Sequence, residues 1–159
     1  MEDFDDATLA LSALVLADVS PDDVPLLDAV GPELLVAADA GPGKDGALGF
    51  GGVDAVLAMV VITVSKHVLA YVGEVAKHFA VEQGGNWLKR LASALHKRRA
   101  GDATVAVPEL SADELARVRA VAFTSACRLG VDESRAQLLA DAMSGALGLR
   151  PPPGAAAVT

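Results

Sequence analysis

The chain has 159 residues, of which 52% are hydrophobic and only 4% aromatic, and its net charge is −8. That length suits one domain with a core built mainly from Ala, Val and Leu, and the negative balance argues against nucleic acid as a partner, since phosphate binding needs a basic surface. The lone Cys127 excludes an internal disulfide and a cysteine-based zinc centre.

Charge is unevenly spread along the chain. Residues 1–54 hold twelve acids against one Lys, residues 55–101 hold seven bases against two acids, and residues 102–159 hold seven acids against five bases. An acidic head can therefore fold back on a basic middle, or the two can face different partners. The stretch MEDFDDATLALSALVLAD is acidic where a secretory signal needs positive charge, so secretion is not expected. The expected location is the cytoplasm, either free or held peripherally or by marginal insertion at the inner membrane. The Ala/Val/Leu/Asp/Arg bias resembles that of proteins encoded by high-GC bacterial genomes.

Asp5 or Asp6 is placed to cap a first helix running to about Asp18. Ser20-Pro21 then offers an N-cap followed by proline at the first helical position, with Asp22 and Asp23 at the positive end of the helix dipole. Gly31-Pro32 interrupts this second helix, and Glu33 to Ala38 reads either as a helical restart or as a short buried strand. Residues 1–39 thus form an acidic helical segment. Residues 40–52 (AGPGKDGALGFGG) form a glycine-rich linker.

Val53 to Gln83 predicts one long helix, although the β-branched run Val60-Val61-Ile62-Thr63-Val64 also suits a buried strand. Gly84-Gly85 ends it, and Asn86 caps a basic helix through Arg99 with Leu88, Leu91 and Leu95 on one stripe. Ser111 and Glu114 form an S-x-x-E capping box opening a helix to about Leu129. Gly130 is suited to the C′ position, and Asp132 caps a last helix to about Leu147. Leu115, Val118, Val121 and Ala122 are expected to meet Leu138, Leu139, Ala142 and Met143 in an antiparallel hairpin over 109–148. Residues 149–159 read as a disordered tail. The predicted fold class is all-α: a small helical bundle with a long central apolar/amphipathic helix and a C-terminal helical hairpin.

Residues 53–99 carry both the most apolar and the most basic stretches of the chain. Val53 to Val72 is long enough to span a bilayer but includes Asp54, Lys66 and His67. A charge at the bilayer centre costs about 2.5–3.5 kcal/mol, which makes a single span marginal. The basic helix has the amphipathicity to lie on an anionic surface, with Trp87 as interfacial anchor. Lys66-His67-Val68 recurs as Lys77-His78-Phe79 on the same helical face, but two copies make no repeat architecture.

Catalytic patterns are weak throughout. His67 and His78 lie three turns apart, too far to share a metal. Gly41-Pro42-Gly43-Lys44-Asp45 lacks the first glycine and the hydroxyl of a phosphate loop, and Asp45 would repel phosphate. Cys127 has no paired His, and Ser65, Ser93 and Ser125 lie in no nucleophile motif. No catalytic, cofactor-binding or metal residue is assigned, and no cofactor or small-molecule substrate is expected.

The expected activity is association without catalysis, as a membrane-interacting accessory or effector protein of a bacterial system acting through its central apolar and basic helices. Met59, Val60, Ile62, Tyr71 and Phe79 would supply the apolar contact to a membrane surface or a protein partner. Trp87, Lys89, Arg90, Lys97, Arg98 and Arg99 would supply the interfacial and electrostatic contact. The alternative is a fully soluble helical adaptor or homo-oligomerisation module in which 53–79 is the core helix. Lys66 separates the two: solvent or an acid beside it favours the adaptor, shielding by neighbouring subunits in lipid favours the membrane.

Overall fold

With few aromatic rings to fill space, small side chains decide how closely helices approach one another in this chain. The computed structural model describes residues 2–40, 53–79, 86–100 and 110–148. Six helices follow in order: α1 (Glu2–Val19), α2 (Val24–Ala40), α3 (Val53–Phe79), α4 (Asn86–Arg99), α5 (Ala112–Arg128) and α6 (Glu133–Leu147). A 3₁₀ turn, Pro21–Asp23, precedes α2. The described residues contain no strand, so the fold is an all-α bundle and the strand alternatives at 34–38 and 60–64 give way to helix. The glycine-rich residues 41–52, Gly84-Gly85 and the tail 149–159 lie outside the described residues.

The core is organised around α3. Ala58 to Ser65 are buried without a break, followed by Val68, Leu69 and Val72. An eight-residue run takes in every direction around a helix, so α3 needs neighbours on all sides, and it has them in α1, α2 and α5. Helix α1 is enclosed in the same way. Ala7, Thr8, Ala10 to Ala13, Val15 and Leu16 are buried, and α1 packs on α2, α3, α4 and α6. The acidic N-terminal segment is therefore a hub of the bundle whose acids, Asp5, Asp6 and Asp18, stand at the exposed ends of α1.

The buried serine and threonine hydroxyls of α1 and α3 are hydrogen-bonded within the core. Thr8 Oγ1 donates to the Phe4 carbonyl (2.7 Å), Ser12 Oγ to the Thr8 carbonyl (2.7 Å) and Thr63 Oγ1 to the Met59 carbonyl (2.9 Å). Ser12 and Ser65 also share a hydrogen bond of 3.0 Å between α1 and α3. Ser65 Oγ in turn donates to Met143 Sδ of α6 (3.9 Å).

The helix boundaries follow local chemistry, with two departures from expectation. Ser20 does not cap backbone; its Oγ donates to Asp23 Oδ2 (2.6 Å), and Pro21–Asp23 closes as the 3₁₀ turn. Gly31-Pro32 kinks α2 without ending it. Val30 is non-helical there (φ −131°, ψ 24°), Pro32 brings no N–H, and Gly31 packs on Leu9, whose Cδ2 would stand 3.1 Å from any added Cβ.

The α5–α6 hairpin carries the capping box as expected. The Glu114 N–H donates to Ser111 Oγ (3.1 Å) and the Ser111 N–H to Glu114 Oε1 (2.8 Å). At its far end the Val131 N–H reaches the Ala126 carbonyl (3.1 Å) and the Gly130 N–H the Cys127 carbonyl (3.0 Å), a Schellman closure with Gly130 at φ +92°. Asp132 Oδ2 accepts from the Arg135 N–H (3.3 Å) to open α6. Val118, Ala122, Leu139, Ala142 and Met143 are buried as the pairing requires. Leu138 is not part of that interface; it is 58% exposed.

Two substitutions test this account by urea unfolding. Ile62→Ala should lower stability by about 2–5 kcal/mol, because its site is enclosed by packed helices that cannot collapse onto the gap. Ser111→Ala should cost about 1 kcal/mol by removing one arm of the capping box.

Candidate functional site

The residues expected to form one contact surface fall on two helices that face different ways. Met59, Val60 and Ile62 lie on α3 and point into the core. Tyr71 is half-buried, packs against the same core and has its hydroxyl enclosed with no hydrogen-bond partner among the described residues. The backbones of Phe79 and Trp87 stand at the end of α3 and the start of α4, and their side chains lie outside the described residues. The basic group sits on α4, which packs chiefly on α1 through Leu91, Ala92, Ala94 and Leu95. The apolar and basic sets are not brought together into a single face.

Within α4 the bases divide again. The helix is Asn86–Arg99 with no acid anywhere in its sequence, and its last turn is His96-Lys97-Arg98-Arg99. Three of those four side chains turn back to the bundle. Arg98 Nη1 donates to the carbonyls of Ala146 (2.6 Å) and Gly148 (3.1 Å), at the carbonyl end of α6, where a guanidinium meets both unpaired acceptors and the negative end of the dipole. Arg99 pairs with Asp28 of α2, and His96 Nε2 lies 3.0 Å from Asp6 Oδ1 of α1. Lys89, Arg90 and Lys97 are exposed on the opposite side.

None of these ties has a local signal in the sequence. Arg99 and Asp28 are 71 residues apart and Arg98 and Ala146 are 48 apart, so only the fold brings them together. The expectation that an acidic head could fold back on the basic middle is met at two points, Asp6 with His96 and Asp28 with Arg99.

Lys66 sits at the contact between α2 and α3. It is half-buried, and its Nζ lies 3.5 Å from the Leu35 carbonyl of α2, a long hydrogen bond that tethers the ammonium to backbone across the α2–α3 contact.

A second place gathers chemically interesting groups. His67 Nδ1 lies 3.1 Å from Ser125 Oγ, in a shallow groove between α3 and α5 lined also by Val121, Thr124 and Arg128. An imidazole beside a hydroxyl suggests a nucleophile, but the lining contributes no carboxylate to orient the ring. Ser125 lies inside α5, whose interior N–H groups are taken by the helix, so none is aimed at a developing oxyanion. Among the described residues no three His, Cys, Asp or Glu side chains come close enough to hold a metal ion. Comparison with protein-family models, curated proteins and solved structures returns no match.

The structure separates two kinds of arginine and lysine, and thermal or urea unfolding should read the separation. Arg98→Ala should lose about 1–3 kcal/mol, since two carbonyls at the end of α6 lose their donor, whereas Lys97→Ala should stay within about 0.5 kcal/mol of the parent. Tyr71→Phe removes a buried hydroxyl without a partner and should be neutral or stabilising by up to about 1 kcal/mol; a clear loss of stability would show that the hydroxyl is bonded in solution.

Proposed function

We propose that this chain is a non-catalytic helical adaptor, a soluble bundle that binds another protein through its outer helical faces. The observation that carries this reading is the place of α3. Its segment Leu57–Val75 is long and apolar enough to cross a membrane, yet 61% of it is buried against other helices of the same chain. An apolar helix that already has partners gains little by moving into lipid. It would have to surrender its contacts with α1, α2 and α5, and the half-buried Lys66 would enter a medium with no water.

The enclosed α1 supports the same reading, since α3 cannot leave the bundle without uncovering it. So does the use of Arg98 and Arg99 as ties to α6 and α2, which engages part of the basic tract within the bundle.

Partition between buffer and anionic vesicles, at low and at high salt, tests the proposal. A monodisperse protein that stays in solution at both salts is the expected result. Binding that survives high salt would mean apolar insertion of the α3 segment and would overturn the adaptor reading in favour of a membrane role.

A further inference from the structure

The solvent face of α4 carries a cluster of bases. On an ideal helix Lys89, Arg90, Ser93, His96 and Lys97 fall within one side, centred on Ser93 and opposite the buried stripe of Leu91 and Leu95. Lys89 and Lys97 are eight positions apart, so the strip is about 12 Å long and one helix wide. The sequence of α4 contains no acid, and His96 at the edge of the strip meets Asp6 of α1. The chain as a whole carries a charge of −8, so this strip is a local reversal of sign.

Beside it runs a groove between α4 and the start of α1, lined by Asp6, Lys89, Ala92, His96, Lys97 and Ala100. Asp6 closes the α1 side of that groove through its contact with His96. The strip is also held in place. The Arg98 and Arg99 contacts fix the rotation of α4 on the bundle, so the outward lysines are presented by a rigid element.

We infer that this face of α4 docks an acidic helical segment of a protein partner. The inference rests on the adaptor reading and names the chemistry of what the adaptor binds. Three features favour a narrow acidic segment over an extended anionic surface. Among the described residues, the apolar side chains of α4, Leu91, Ala92, Ala94 and Leu95, are packed on the bundle and are not offered to lipid. The strip is bordered by Asp6, and the remainder of the molecule is acidic, so a lipid plane or a nucleic acid duplex would meet repulsion just beyond it. A segment the width of a helix touches the strip alone, and Ala92 and Ala100 in the groove lining leave room for small apolar residues between its acids.

The test uses the full chain, labelled with nitrogen-15 and titrated with a synthetic Glu/Ala-rich helical peptide. Amide shifts should move at Lys89, Ser93 and Lys97 and their α4 neighbours, and binding should weaken as salt is raised. The double variant Lys89→Glu/Lys97→Glu should bind the peptide roughly tenfold more weakly while keeping the parent's helical content and melting temperature, since both side chains are exposed. Shifts that map to another face, or a double variant that binds as well as the parent, would overturn the inference. Tighter binding of phosphatidylglycerol vesicles or of duplex DNA through the same lysines would overturn it as well. Failure here leaves the adaptor reading standing, because that reading is decided by salt-resistant vesicle partition and not by peptide binding.

Discussion

The demand that shapes this molecule is the coverage of a helix that is apolar in every direction. From Ala58 to Ser65 each residue of α3 is withdrawn from water, which no single neighbour can achieve. Three helices enclose it, and with so few aromatic rings they do so by approaching closely over alanine, valine and leucine. One of the three, α1, becomes enclosed in turn, so it requires α4 and α6 as an outer cover. The order of layers follows from one requirement passed outward: α3 needs α1, and α1 needs the second half of the chain.

Electrostatics finishes what packing begins. The outer helices α4 and α6 meet the bundle through faces rich in alanine, which bury little area per residue and leave their ends weakly held. Polar ties at those ends compensate. The guanidinium of Arg98 closes the exposed carbonyls at the end of α6, and Arg99 reaches Asp28. Arg119 of α5 pairs with Asp141 of α6 in the same manner across the hairpin. These exposed pairs add modest energy each, and their contribution is chiefly to fix how one helix is rotated on the next.

Much of this fold was legible from residue patterns, and the reasons differ by region. The α5–α6 hairpin could be read almost residue by residue, because a capping box, a left-handed glycine and an N-cap aspartate act within a few positions of one another. Leu138 escaped that reading because hydrophobicity alone does not say which leucine of a pair turns inward. At 60–64 the β-branched run left strand and helix open, and the choice was settled by the length of the surrounding apolar segment and by tertiary burial. Ser20-Pro21 gave the correct position of a boundary but not its form, since the hydroxyl had an equally near acceptor in Asp23.

The candidate surface was harder to read than the fold. Counting bases on α4 located the charged helix, but which bases face inward depends on Asp6, Asp28 and the end of α6, all remote in sequence. The apolar contact set failed to assemble with the basic one for a related reason. A run such as 57–72 looks the same in sequence whether it is destined for lipid, for a partner or for the interior of its own domain. The pairing of His67 with Ser125, 58 residues apart, carried no signal that spacing could have supplied.

The enclosed position of α1 has a consequence for how the chain is made. This helix is synthesised before every element that covers it, and its last partner, α6, emerges after all the others. At roughly 5–20 residues per second, α1 and then α3 wait on the order of ten seconds with their apolar sides unprotected. Enclosure of α1 thus waits for α4 and α6, partners remote from it in sequence, and such topologies close slowly. Folding in the cell should therefore depend on whatever shields nascent helices at the ribosome, and interruption of synthesis ahead of the final hairpin would leave a fragment with an uncovered hub.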